Sequence, residues 1–186
     1  IGCSWSKKDL NKIYERSKNL EKIELKEIDA RNLDKVKFNT KFDSIVNTEN
    51  IEHIINSEKL ISDISSNLKQ GGLLYLTTPN LLYKKVYGDS LIKFPPIEDG
   101  RHVVRGYSKE KLKKLCDKNG LKIISVDYIG GKFIRSLLSA QRFLPFKIAQ
   151  KIFTIPLSIL CNFLDEIFYK NHKNNFSIAI IAEKID

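Results

Sequence analysis

FDSIVNTENIEHIINSEKLISDISSNLKQGGLLYLTTPN, residues 42–80, alternates between two kinds of pattern. Phe42 to Asn47 and Leu73 to Thr78 are short apolar runs without clean polar alternation, the signature of buried strands. Between them the spacing predicts an acidic turn carrying Glu49, Glu52 and His53, then a helix from about Glu58 to Leu68 stopped by Gly71 and Gly72. Pro79 and Asn80 close the second strand. Such a strand, helix, strand unit belongs in a parallel sheet covered by helices on both faces, with ligands at the carboxyl ends of the strands. Glu49, Glu52 and His53 fall at one of those ends, which makes that turn the expected site.

Upstream, Leu10, Ile13, Tyr14 and Ser17 share one helical face, and Ser6 is placed to cap a helix over about Lys7 to Asn19. Lys22 to Ile28 alternates as a half-exposed strand does and ends in the polar loop Asp29-Ala30-Arg31-Asn32. Downstream, residues 80–107 form a long connection with Pro95-Pro96, Gly88 and Gly100, long enough to act as a substrate-side loop. Ser108 caps a helix that Gly120 stops, and Leu121 to Ile129 is the next strand. The spacing then predicts two or three helices broken at Pro145 and Pro156 and a final buried strand from Phe176 to Lys184. The largely alternating order argues an α/β fold with a doubly wound sheet.

The 186 residues suffice for one domain with a sizeable core, and 42% apolar residues exclude global disorder. A formal net charge of +10 favours an anionic partner, yet charge does not choose among phosphate, nucleic acid and an acidic membrane surface, and a solvated Lys-rich surface carries the same charge. Cys3, Cys116 and Cys161 are three in number and far apart, which suggests neither a disulfide framework nor a structural zinc site and fits a reducing, cytoplasmic setting. The longest uncharged run, from Ile152 to Leu164, is too short to span a bilayer, so the chain is expected to be soluble or peripheral at a membrane. It lacks methionine, position 1 included, and is expected to be a piece of something longer.

Taken in order, several short motifs resemble the class I S-adenosylmethionine-dependent methyltransferases, in the type 11/12 group that includes ubiquinone-pathway O-methyltransferases. They are Asp29-Ala30 after a strand, Phe42-Asp43 opening the next, Glu49-x-x-Glu52-His53, Leu68-Lys69-Gln70-Gly71-Gly72 before Leu73-Leu74, Thr78-Pro79-Asn80, and His102-x-x-Arg105-Gly106-Tyr107-Ser108. The resemblance implies a single domain over 1–186, incomplete at its N-terminus, with a Rossmann-like sheet of seven strands. Its last strand would insert antiparallel, after a helical insertion over 132–172. It further implies S-adenosylmethionine as cofactor, with Asp29 accepting from the adenine amino group, the Ala30 amide on a ring nitrogen, and Trp5 stacked on adenine. Asn47 and Thr48 would lie beside the same cofactor. Gly2 and Ser4 belong to a segment resembling the start of the family's glycine-rich turn, but the spacing to Asp29 is short, so the chain is expected either to begin at the family's second strand or to join the first motif directly to Trp5 with about 20 family-typical residues left out. Ser4 stands where the family has an acid for the ribose, and lacks its charge.

At the acidic turn, Glu49, Glu52 and His53, with His102 from the long connection, form a reasonable set for Mg2+ or another divalent cation. Without metal, the same residues position the acceptor, and His53 or His102 serves as general base. Arg105 and Tyr107 are expected to line the acceptor pocket, Arg105 facing an anionic group, with Tyr107 alternatively a helix staple. The insertion mixes many large apolar residues with Lys132, Arg135, Arg142, Lys147 and Lys151, which suits either an anionic membrane surface and a lipid-linked acceptor or a cap or homodimer interface. The expected function is O-methylation of a small or lipid-linked hydroxylated acceptor. A nucleic-acid methyltransferase is the second enzyme reading, disfavoured because no basic stripe is interleaved with aromatic residues. A non-catalytic methyltransferase-like subunit is the third.

Overall fold

A computed structural model of the chain describes residues 1–19, 22–83, 94–140, 147–170 and 172–185, with backbone alone for 147–155. Where α1 (Lys7–Ser17) begins, Ser6 accepts from the Asp9 amide, as the capping pattern requires. This helix packs on a pair of short parallel strands, β1 (Gly2–Ser4) and β2 (Leu25–Glu27). The segment that resembles the start of the glycine-rich turn is thus a strand, with Gly2 opposite Leu25 and Ser4 opposite Glu27, in line with a start at a strand. β2 is shorter than the run of alternation predicts, because it has only the three residues of β1 to pair with.

The larger sheet has the order β3, β4, β6, β5, formed by Phe42–Thr48, Leu68–Pro79, Ser177–Lys184 and Leu121–Ile129. β3 and β4 are parallel, and β6 inserts between β4 and β5 antiparallel to both, the arrangement expected for the last strand. Helix α2 (Ser57–Asn67) connects β3 to β4, and α3 (Lys109–Asp117), capped by Ser108, precedes β5. Asn67 ends α2, so Gly71 and Gly72 do not stop a helix but lie inside β4. A Cβ on Gly72 would stand 2.8 Å from the Lys69 carbonyl and 3.2 Å from that of Phe42. The glycine thus lets the β3 backbone come close to β4 where their register shifts.

Only one face of this sheet is deeply buried among the described residues. Leu74, Leu76, Ile178, Ile180 and Ala182 form the core with Leu60, Ile61 and Ile64 of α2 and Leu112, Leu115 and Cys116 of α3. On the opposite face Val46 pairs beside Tyr75 and Tyr75 beside Ile181, and Val46 is 67% exposed. The apolar strands predict cover on both faces; among the described residues deep cover lies on one.

After β5 comes α4 (Lys132–Ala140), which packs against α5 (Lys147–Tyr169). Pro156 does not break α5 as expected. It lies inside the helix, which forgoes one main-chain hydrogen bond there and continues. Pro145 and Arg142 fall outside the described residues, as do the side chains of Lys147 and Lys151 and residues 84–93 of the long connection. No helix among the described residues is long and apolar enough to cross a membrane.

Candidate active site

A cleft of about 1060 Å3 separates the small sheet from β3. Ser4, Trp5, Asp29, Ala30, Asn47 and Thr48 line it, six of the seven residues expected at the cofactor. Gly2 is not on this wall: a Cβ there would meet Leu25 of β2 at 2.8 Å, so its role is close strand packing. The cleft follows β3 from Phe42 to Thr48, along the edge that has no strand partner among the described residues.

Trp5 follows β1 with its side chain 69% exposed, an aromatic face open to the cleft. Ser4 turns its hydroxyl inward and accepts from the Ser6 amide at 3.2 Å. Asp29 caps the 3-10 turn Ala30–Lys35, accepting from the Arg31 amide at 3.0 Å, and Ala30 opens that turn, where first-turn amides lack partners within the helix. The Arg31 guanidinium also grips both carboxylate oxygens, at 2.8 and 2.5 Å. These contacts hold the Asp29 carboxyl below the usual carboxylate range, despite some desolvation. A carboxylate offers about four acceptor directions, and the Arg31 amide and guanidinium fill two on each oxygen, so an adenine amino group would have to share Asp29 with Arg31. Asn47, near the end of β3, buries its Oδ1 without a hydrogen-bond partner.

The acidic turn divides into two environments. Glu49 adopts a left-handed conformation, φ +46°, uncommon for a residue other than glycine and typical of sites where backbone is re-aimed. Its amide donates to Thr77, and its Oε1 accepts from Ser177 at 3.2 Å. Glu52 is 0% exposed. Its Oε2 accepts from Thr78 at 3.0 Å, while Oε1 has no partner. Burial pushes its carboxyl above the usual range, opposed by hydrogen bonding that includes the Thr78 hydroxyl. The Glu52 carbonyl accepts from the Val103 and Val104 amides, which ties the segment bearing His102 to this turn.

His53 places Nε2 3.8 Å from Glu52 Oε1, and its ring meets His102 edge-on with centroids 4.6 Å apart. His53 Nδ1 is buried without a partner. Ligand atoms of Glu52, His53 and His102 all lie within 4.8 Å of one another. Glu49 is outside that group, which corrects the expected four-residue set to three: the left-handed turn carries its carboxylate toward Ser177.

Tyr107 is not among the residues lining the cleft. It is 1% exposed, its hydroxyl donates to the Ile51 carbonyl at 3.4 Å, and it bridges Asn80, so it braces the acidic turn from within the core. The neighbouring Gly106, at φ +153°, allows this crossing, since a Cβ would stand 2.1 Å from the Pro79 carbonyl oxygen. Arg105 is part-buried and donates to the Tyr83 carbonyl at 2.5 Å. Sequence reasoning assigned no site role to Thr78, Ser177, Arg31 or Glu98. Glu98 links Arg31, at 3.3 Å, to the Ile55 amide, at 2.6 Å. Only Thr78 had a local signal, a polar residue closing an apolar strand.

The sequence profile of the Methyltransferase domain family matches residues 6–126, more than half of the chain. The chain belongs to that methyltransferase family. Ubiquinone biosynthesis O-methyltransferase from Bartonella bacilliformis is 33% identical over 90 residues, covering 45% of this chain and 36% of that protein. Among solved structures, coclaurine N-methyltransferase bound to N-methylheliamine and SAH superimposes with a TM-score of 0.60 at 17% identity, covering 98% of this chain and 59% of that one. A putative S-adenosylmethionine-dependent methyltransferase from Listeria monocytogenes gives 0.58 at 12% identity, covering 100% and 79%. At these identities the structural likeness establishes the Rossmann-like fold. The methyltransferase chain described here spans well under two-thirds of its curated relative.

Proposed function

We propose that this methyltransferase transfers a methyl group from S-adenosylmethionine to a hydroxyl of a small or lipid-linked acceptor. The observation that carries the reading is the single cleft whose wall holds Trp5, Asp29 and Asn47 together with Glu49 and His53. The residues fit the cofactor: Trp5 offers an open ring for adenine, and buried Asn47 Oδ1 an unmet need for a donor. S-adenosylmethionine, when bound, supplies an electrophilic methyl group on a sulfonium. The chain's own work is alignment and proton handling. His53 accepts the acceptor hydroxyl's proton, and Glu52 steadies the imidazolium that results.

A divalent cation at Glu52, His53 and His102 is a second way to use the same atoms, favoured by the unpartnered Glu52 Oε1 and by the ligand spacing. A cation there would lower the hydroxyl's pKa. The lipid-linked form of the acceptor is supported by α5, which exposes Leu157, Ile159, Leu160, Phe163, Ile167 and Phe168 on a chain of net charge +10. Titration of the full chain with S-adenosylhomocysteine by calorimetry should give saturable heat, and no heat would sink the enzyme reading in favour of a non-catalytic subunit. Methylation of a catechol probe should fall about a hundredfold or more in His53→Ala. Loss of the remaining activity on chelation, with recovery on adding Mg2+ or Mn2+, would select the cation-assisted route.

A further inference from the structure

At the same end of the larger sheet, Arg135 of α4 is held between two aromatic rings. Its guanidinium carbon lies 3.8 Å from the centroid of Phe176 and 4.9 Å from that of Tyr83, and those two rings meet edge to face at 5.4 Å. Nη2 donates to the Tyr83 hydroxyl at 3.2 Å, and Nε is buried with no partner. No carboxylate among the described residues pairs with Arg135. The nearby buried acid, Asp165 of α5, is committed to capping α4, accepting from the Phe133 and Ile134 amides at 2.9 Å each. Ring stacking satisfies part of a cation's electrostatic demand but none of its donors. A part-buried guanidinium with an unused N–H in a planar fork is suited to a carboxylate or phosphate.

The surroundings connect this group to the acceptor side. Phe176 precedes Ser177, whose hydroxyl donates to Glu49. Tyr83 lies three residues beyond Asn80 at the end of β4, and its carbonyl accepts from Arg105. Two guanidinium groups thus converge on Tyr83, beside the strand whose Thr78 holds Glu52.

We propose that Arg135 forms an anion subsite, reading a carboxylate or phosphate carried by the acceptor and so selecting charged over neutral acceptors. The inference rests on the hydroxylated-acceptor reading, and the test separates the two. Affinities of 3,4-dihydroxybenzoate and of its methyl ester are measured on the full chain with S-adenosylhomocysteine present, alongside benzoate and inorganic phosphate as anions without a diol. The acid should bind about tenfold or more tightly than the ester, the range expected for a hydrogen bond to a charged group. Arg135→Gln should remove that preference and leave the ester and S-adenosylhomocysteine unchanged; Arg135→Lys, which keeps the charge but loses the fork, should retain part of it. Tighter binding of phosphate than of benzoate would identify a phosphate as the anion, and the reverse a carboxylate. Equal affinity of acid and ester in the wild type, or equal weakening of both in Arg135→Gln and Arg135→Lys, would overturn the subsite and leave Arg135 as a brace for α4. Arg135-dependent binding of benzoate or phosphate, with neither diol binding better, would uphold the subsite and remove the hydroxylated acceptor.

Discussion

Glu52 concentrates the local physics of the candidate site. Burial favours its protonated form, so the folded chain retains a proton that the unfolded chain releases near the ordinary value of 4.5. The group therefore favours folding fully below that value, and its contribution is lost as pH rises through the raised folded value. Glu52→Gln keeps an acceptor for Thr78 and removes the ionisation. Thermal melts should show it gaining stability over wild type at pH 8 and not at pH 4, while methyl transfer falls about a hundredfold or more. A gain equal at both pH values would show that ionisation of Glu52 is not what costs stability. Gly106 is the other residue whose chemistry is set by a single contact. Gly106→Ala should destabilise by about 3 kcal/mol in denaturant unfolding, since the added carbon meets the Pro79 carbonyl and the backbone sits at positive φ. The motif carrying His102 and Tyr107 made this stretch legible as functional, but its sequence did not separate residues that touch a ligand from those that brace the turn.

Among the elements, capping and periodicity translated directly. Ser6 and Ser108 cap helices where the sequence places them, and Ser108→Ala should cost about 1 kcal/mol of stability in the same unfolding measurement. Leu121–Ile129 is a strand over the whole predicted run. Where prediction failed, the missing information was nonlocal. Gly71 and Gly72 signal a stop in any local reading, yet the neighbouring β3 backbone packs against the bare backbone of Gly72 instead. Pro156 signals a break, yet α5 continues through it, with only Cys161 and Asp165 buried along its described side chains.

For the whole molecule, the exposed apolar face of α5 sets a further expectation. Replacing Phe163 and Ile167 with serine should abolish flotation of the chain with anionic vesicles and leave S-adenosylhomocysteine binding intact, because neither residue lines the cleft. If wild-type chain fails to float but elutes as a dimer that the double variant dissolves, the face is an interface between copies. Thiol labelling offers a check on the folded core. Burial pushes the Cys116 thiol up to about 12, so it should resist alkylation at pH 8 until the chain is unfolded.

The sequence alone determined the alternation of strands and helices, the antiparallel last strand expected from the family resemblance, and the acidic turn as the chemical corner. These depend on periodicity, capping and short motifs, which are local and survive in a single chain. Tertiary structure decided which of those residues meet. It put Trp5, Asp29 and Asn47 on one wall with His53, drew Glu49 away from Glu52 and His102, sank Tyr107 into the core, and set Arg135 between two rings from distant segments. Each of those outcomes depends on the pairing order of β3, β4 and β6 and on which side chains remain buried without a partner, neither of which is written in any one stretch of sequence.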